Sequence, residues 1–137
     1  MMLRLMLADD NGPVRQSLRT LLERAGFSVV IEATDGEQAV SLALQHRPDV
    51  VLLDLSMPHL NGIEAARQIR KSIPQARTII LSVHRDCQYV ARALDAGARG
   101  YILKGRAVEE LARGIQHVAE GKLFISYGLS RQVAQEV

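Results

Sequence analysis

Five polar residues, Asp9, Asp10, Asp54, Ser82 and Lys104, stand at the ends of short apolar runs. If those runs are neighbouring strands, three carboxylates, a hydroxyl and an ammonium converge at one edge of a sheet, where open α/β sheets bind ligands. Carboxylates that close repel one another, and one of them is driven toward its neutral form unless a cation compensates. An all-oxygen donor set with room for water suits Mg²⁺ better than a metal that wants imidazole or thiolate. Such an ion is commonly completed by a phosphate. Lys104 could pair with that phosphate as a compact charge, and the Ser82 hydroxyl could donate to a phosphoryl oxygen. A carboxylate can also be the nucleophile, forming an aspartyl-phosphate. Asp54, flanked by Leu53 and Leu55 on the presumptive middle strand, is the candidate, while Asp9 and Asp10 form a pair suited to a metal.

Each residue also has a plainer reading. Asp-Asp-Asn-Gly at 9–12 is a good turn ahead of a helix starting at about Pro13. Asp54 could be a cap or turn former, Lys104 beside Gly105 a solvated loop residue, and Ser82 alone says almost nothing. Only their conjunction favours chemistry, because separate strand ends would have to complement one another by accident.

The elements that would position these residues are regular. Apolar runs at Leu3–Ala8, Ser28–Ile31, Val50–Leu53, Thr78–Val83 and Gly100–Leu103 are strand length and lack polar alternation, as expected of strands covered on both faces. Between them, Val14, Leu18, Leu21, Leu22 and Ala25 recur at helical spacing, as do residues near Gly36–Gln45, Gly62–Lys71 and Asp86–Ala96. A fifth helix carries Val108, Leu111, Ala112, Ile115, Val118 and Ala119. Gly26, Pro48, Pro74, Gly97 and Gly121 punctuate the ends. Five βα units predict an α/β, doubly wound, five-stranded parallel sheet with five flanking helices. Residues 1–120 form one unit, and 121–137 a tail or linker in which Leu129, Val133 and Val137 have the spacing of one more helix.

Composition fits one ordinary domain: 137 residues, 47% hydrophobic, 23% charged, net charge +2. The 14 arginines are scattered, so no global field draws the chain to nucleic acid or a membrane. A single Cys87 makes no internal disulfide and is read as a packing residue, and no apolar stretch approaches the roughly 18 residues of a spanning helix. The expected compartment is the cytoplasm. His46, His59 and His117 have no ligand spacing and are read as surface residues.

The segments LMLADD, VVLLDLSMPHLNGIEA, TIILSVH and GYILKG resemble, in order and spacing, the receiver domain of two-component response regulators, over residues 3–120. The resemblance implies a flavodoxin-like strand order of 2-1-3-4-5. It implies that Asp54 accepts a phosphoryl group from a sensor histidine kinase, with Lys104 and Ser82 assisting. It further implies Mg²⁺ bound by Asp10, Asp9, Asp54 and the Ser56 backbone carbonyl, and a switch of Ser82 and Tyr101, the tyrosine turning in from solvent on phosphorylation. No separate enzymatic activity is implied beyond Mg²⁺-dependent phosphoacceptance and autodephosphorylation. Gly105 departs from the proline that many receivers place after the lysine, and His84 and Ser56 occupy positions at which receivers vary.

The stretch LDAGARGYILKGRAVEELARGIQHVAEGKLFISYGLSRQV is similar to NarL/FixJ-type receivers, whose tail leads to a LuxR-type DNA-binding domain. The implied function is phosphorelay control of transcription through an output domain outside this sequence; the alternative is a stand-alone regulator acting by protein contacts. Implied partners are the kinase, docking on the first helix with Arg15 and Arg19 on its outer side, and a second copy on phosphorylation. The dimer surface is either the first and fifth helices or the face from the fourth helix to the fifth. A haloacid-dehalogenase-like phosphatase would need a second acid where Ser56 stands, and an FMN module would not place Asp9 and Asp10 against a phosphate.

Overall fold

A computed structural model describes residues 3–105 and 108–129. In chain order the elements are β1 Arg4–Ala8, α1 Gly12–Arg24, β2 Ser28–Ala33, α2 Gly36–His46, β3 Val50–Asp54 and α3 Gly62–Ser72. They continue as β4 Thr78–Ser82, α4 Cys87–Asp95, β5 Gly100–Leu103, α5 Val108–Ala119 and β6 Phe124–Ile125. All pairings are parallel, in the order β2-β1-β3-β4-β5-β6.

Successive strand residues face opposite sides, so each apolar run feeds two cores. Leu5, Leu7, Val50, Leu52, Ile79, Leu81 and Ile102 pack with Leu22 of α1 and with Leu111, Ile115 and Val118 of α5. Met6, Ala8, Val51, Leu53, Ile80, Tyr101 and Leu103 pack with residues of α2, α3 and α4. That double burial is why β3 and β4 are buried at every position. β2 lies at an edge and is looser: its register against β1 shifts between Leu5 and Met6, bulging at Val30, which is 41% exposed. Four helices start from a side-chain cap that accepts a backbone N–H, at Asn11, Asp35, Asn61 and Asp86.

The sheet has six strands where five were expected. The extra one is two residues long and is too short for periodicity to reveal. It forms because the outer edge of β5 has backbone groups to satisfy. Phe124 donates to the Arg99 carbonyl and Ser126 to that of Tyr101, and the Leu103 N–H donates to the buried Ser126 Oγ at 2.9 Å. Leu129 is fully buried in the same core cluster as Tyr101 and Leu103. Residues 124–129, read from sequence as tail, therefore cover the sheet edge. The proposed helix through Val133 and Val137 lies outside the described residues.

Leu129→Ala should cost about 2–5 kcal/mol of stability, the range for emptying a fully buried leucine site, by urea unfolding. A cost below about 1 kcal/mol would mean that this segment is not docked.

Candidate functional site

Four carboxyl ends of strands meet at one edge. β1 delivers Asp9 and Asp10, β3 ends in Asp54, β4 in Ser82, and Lys104 follows β5. Carboxylate oxygens of Asp9, Asp10 and Asp54 lie within 4.8 Å of one another. Asp9 and Asp54 are buried and Asp10 is exposed. Lys104 Nζ stands 2.9 Å from Asp54 Oδ1 and 3.1 Å from Asp9 Oδ2. The other Asp9 oxygen accepts the Asn11 N–H at 2.9 Å. Burial pushes the Asp54 carboxyl above its ordinary range; Lys104 works against this, while Asp9 and Asp10 add to it. Burial alone would lower Lys104, but its bonds to Asp54 and Asp9 hold the ammonium above its ordinary value.

This donor set fits a hard divalent cation. Two of the three carboxylates share one ammonium, all available side-chain donors are oxygen, and exposed Asp10 leaves a side open to water. No other group of three His, Cys, Asp or Glu with that capacity occurs among the described residues. Ser56, in the loop after β3, lines a groove of about 330 Å³ with Asn61, Arg67, His84, Tyr89 and Arg92.

The backbone under Asp54 is set by α3. A Cβ on Gly62 would lie 2.3 Å from the Asp54 carbonyl oxygen, and the Gly62 N–H donates to the Leu55 carbonyl at 2.9 Å. Gly62→Ala must therefore shift either the helix or the Asp54 backbone. We expect a destabilisation of about 1–3 kcal/mol, read by urea unfolding; an unchanged stability would show that this backbone tolerates the shift.

Ser82 is buried and its Oγ accepts the His84 N–H at 2.9 Å. Tyr101 differs from the expectation of a ring lying in solvent before phosphorylation: it is fully buried, its hydroxyl donating to the His84 carbonyl at 2.8 Å. Position 101 shares its side of β5 with Leu103, and the His84 carbonyl gives the phenol a partner, so burial leaves no orphaned hydroxyl. Burial raises the phenol pKa, with the Ser82 hydroxyl partly opposing. His84 also stacks on Tyr89, with centroids 4.5 Å apart, so its loop ties Ser82, Tyr101 and α4 together. That link was not visible in sequence, since it runs through a backbone carbonyl. After Lys104, Gly105 takes φ of +87°, the left-handed turn a glycine permits.

Arg15 and Arg19, expected on the free outer side of α1, are instead both paired with Glu32 of β2. Burial disfavours the charged Glu32, but the bonds from Arg19 and Arg15 outweigh it and hold its pKa below the ordinary value. The signal in sequence is a lone glutamate in the run SVVIEA opposite two arginines one turn apart. His117 Nδ1 lies 2.9 Å from the Arg113 carbonyl, and His46 and His59 are exposed. Cys87 opens α4, half-buried.

Comparisons with known proteins agree with this architecture. The family model described as the response regulator receiver domain matches residues 5–116. The chain is 39% identical over 134 residues to the response regulator UvrY of Escherichia coli (strain K12), covering 97% of this chain and 62% of that protein. It thus spans less than two thirds of the length of such curated relatives. A LuxR-family two-component response regulator from Aurantimonas sp. SI85-9A1 superposes with a TM-score of 0.95 at 36% identity, covering 99% of this chain and 98% of that one. The isolated REC domain of RcsB from Salmonella enterica serovar Typhimurium, solved in the presence of the phosphomimetic BeF₃⁻, gives 0.85 at 26% identity, covering 96% and 98%. With six parallel strands and five helices among the described residues, and acids gathered at the strand ends, the chain belongs to the response regulator receiver domain family.

Proposed function

We propose that this chain is a phosphoacceptor switch, with Asp54 receiving a phosphoryl group from a sensor histidine kinase. The observation that carries the proposal is the buried Asp54 carboxylate, 2.9 Å from Lys104 and sharing its pocket with Asp9 and Asp10. An Asp54 oxygen attacks phosphorus as the bond from phosphorus to the donor's imidazole nitrogen breaks, and the imidazole leaves as the neutral base, keeping the proton already on its other nitrogen. Lys104 neutralises charge on the phosphoryl oxygens. Asp10, Asp9, Asp54 and the Ser56 carbonyl would hold Mg²⁺, which when bound supplies charge neutralisation at the phosphoryl oxygens. Water attack on the same phosphorus later breaks its bond to the Asp54 oxygen, releasing inorganic phosphate and restoring the carboxylate. The chain's own chemistry is this self-directed acceptance and loss of phosphate, with no separate substrate.

Phosphorylation adds about −1.5 to −2 charges beside Ser82 and Lys104. Moving Ser82 Oγ toward those oxygens breaks its bond from His84, and the His84 loop carries the Tyr101 hydroxyl and the Tyr89 stack with it. The α4–β5 face changes in consequence. A swing from 1:99 to 99:1 needs about 5.5 kcal/mol of preference for one state. Longer relatives named as transcriptional regulatory proteins, and structural neighbours named as LuxR-family regulators, support an output by transcription control through a LuxR-type DNA-binding domain. The exposed Val14 and Leu21 favour α1 as the kinase contact, and dimerisation on phosphorylation belongs to the same reading. No helix among the described residues is long and apolar enough to cross a membrane, and the cytoplasm is the compartment proposed.

Beryllofluoride, a phosphoryl mimic, tests this reading. Added with Mg²⁺, it should shift the amide resonances of Asp54, Ser82, His84, Tyr101 and Lys104. Spectra identical to those with Mg²⁺ alone would overturn it.

A further inference from the structure

The acidic turn is pinned from one direction that the phosphoryl chemistry does not use. β2 lies beside β1 and holds the Asp9 N–H directly and the Asp9 carbonyl only through Arg15 of α1, which its Glu32 engages. The Ala33 carbonyl accepts the Asp9 N–H at 3.0 Å. Arg15, in the first turns of α1, donates Nη1–H to the Asp9 carbonyl at 2.7 Å and Nε–H to Glu32 at 2.8 Å. Arg19, one turn on, pairs with the second Glu32 oxygen but does not reach Asp9. The Asp9 carbonyl belongs to the peptide that leads into Asp10, and the Asp9 carboxylate is itself held by the Asn11 N–H and Lys104. With these bonds in place, Asp10 keeps little freedom beyond its own side-chain torsions.

We propose that Arg15 is a positioning residue for the cation site, orienting the Asp9–Asp10 peptide through its fork between Glu32 and the Asp9 carbonyl. The proposal rests on the Mg²⁺-dependent phosphoacceptor reading above. Its geometry suits arginine and not lysine, because two donors of one rigid plane engage a carboxylate and a carbonyl at once. It also makes a prediction whose sign is unusual. A cation this close to three carboxylates repels Mg²⁺, so Coulomb's law alone says that deleting Arg15 tightens Mg²⁺ binding. A positioning role says that deletion weakens it, as removal of groups that orient ligands does by about 10- to 100-fold.

Titration calorimetry with Mg²⁺ at fixed ionic strength separates the two for wild type, Arg15→Lys, Arg15→Met, Glu32→Gln and Arg19→Met, with each melting temperature recorded. Both Arg15 variants should bind Mg²⁺ about tenfold more weakly, and Glu32→Gln should show a smaller loss in the same direction. Arg19→Met should match wild type. If Arg15→Met binds Mg²⁺ more tightly, or Arg15→Lys binds it as wild type does, the proposal is overturned and Arg15 is only a charge. If Arg15→Met does not fold, Arg15→Lys decides, because it keeps the charge, so that Coulomb's law predicts unchanged binding while loss of the fork predicts weaker binding. A wild-type chain that takes up no Mg²⁺ would overturn the phosphoacceptor reading as well.

Discussion

Asp54→Ala is expected to abolish phosphoryl uptake from any donor. Removing a nucleophile costs on the order of 10⁶-fold elsewhere, so uptake on a phosphate-affinity gel should be undetectable over hours. Neighbouring acids cannot substitute. Asp9 is buried with both oxygens committed, to Asn11 and to Lys104, and Asp10 is exposed at the rim. Only Asp54 combines burial, contact with the ammonium and a backbone buttressed by Gly62. The substitution should leave the fold intact, since it removes a buried carboxylate whose charged form is disfavoured by burial. Uptake persisting in a folded Asp54→Ala protein would place the acceptor elsewhere.

Lys104→Met should separate two roles of the ammonium. Taking away a preorganised charge that meets the transferring phosphoryl group should slow uptake by about 10²–10³-fold at saturating Mg²⁺. In the same variant Mg²⁺ should bind several-fold more tightly, because Lys104 is the cation with which it competes for Asp54 and Asp9. The metal-free protein should lose about 1–3 kcal/mol, as the acids then face one another uncompensated. The pH dependence follows from the direction of the Asp54 shift. Its folded pKa lies above the ordinary value near 3.8, so the folded state binds this proton more readily than the unfolded chain. The resulting stability is fully present below that ordinary value and is lost as pH rises through the elevated folded one. Lys104 restrains the shift, so its removal should make metal-free stability rise more steeply on acidification. Thermal melts at several pH values, with calorimetric Mg²⁺ titration, check these outcomes; unchanged uptake and affinity would remove Lys104 from the site.

Much of this molecule was legible in its residues because the information is local or periodic. β3 and β4 read as strands since every position is buried, and each helix start carries its own cap or apolar spacing. Asp9, Asp10, Asp54, Ser82 and Lys104 could be singled out because a parallel sheet brings all its strand ends to one edge. What escaped was set by long-range backbone partners. Phe124–Ile125 pairs with β5 because that edge was open, not because two residues favour a strand. Tyr101 is inside because the His84 carbonyl happens to meet its hydroxyl, and Arg15 turned inward because Glu32 rises from the adjacent strand. No spacing along the chain announces such pairs.

The most direct test of the central claim is the intact mass of the chain after incubation with a small phosphodonor, with Mg²⁺ and again with EDTA. A gain of one phosphoryl group with Mg²⁺ and none with EDTA is the predicted result. An unchanged mass in the presence of Mg²⁺, or the same gain after chelation, would contradict it.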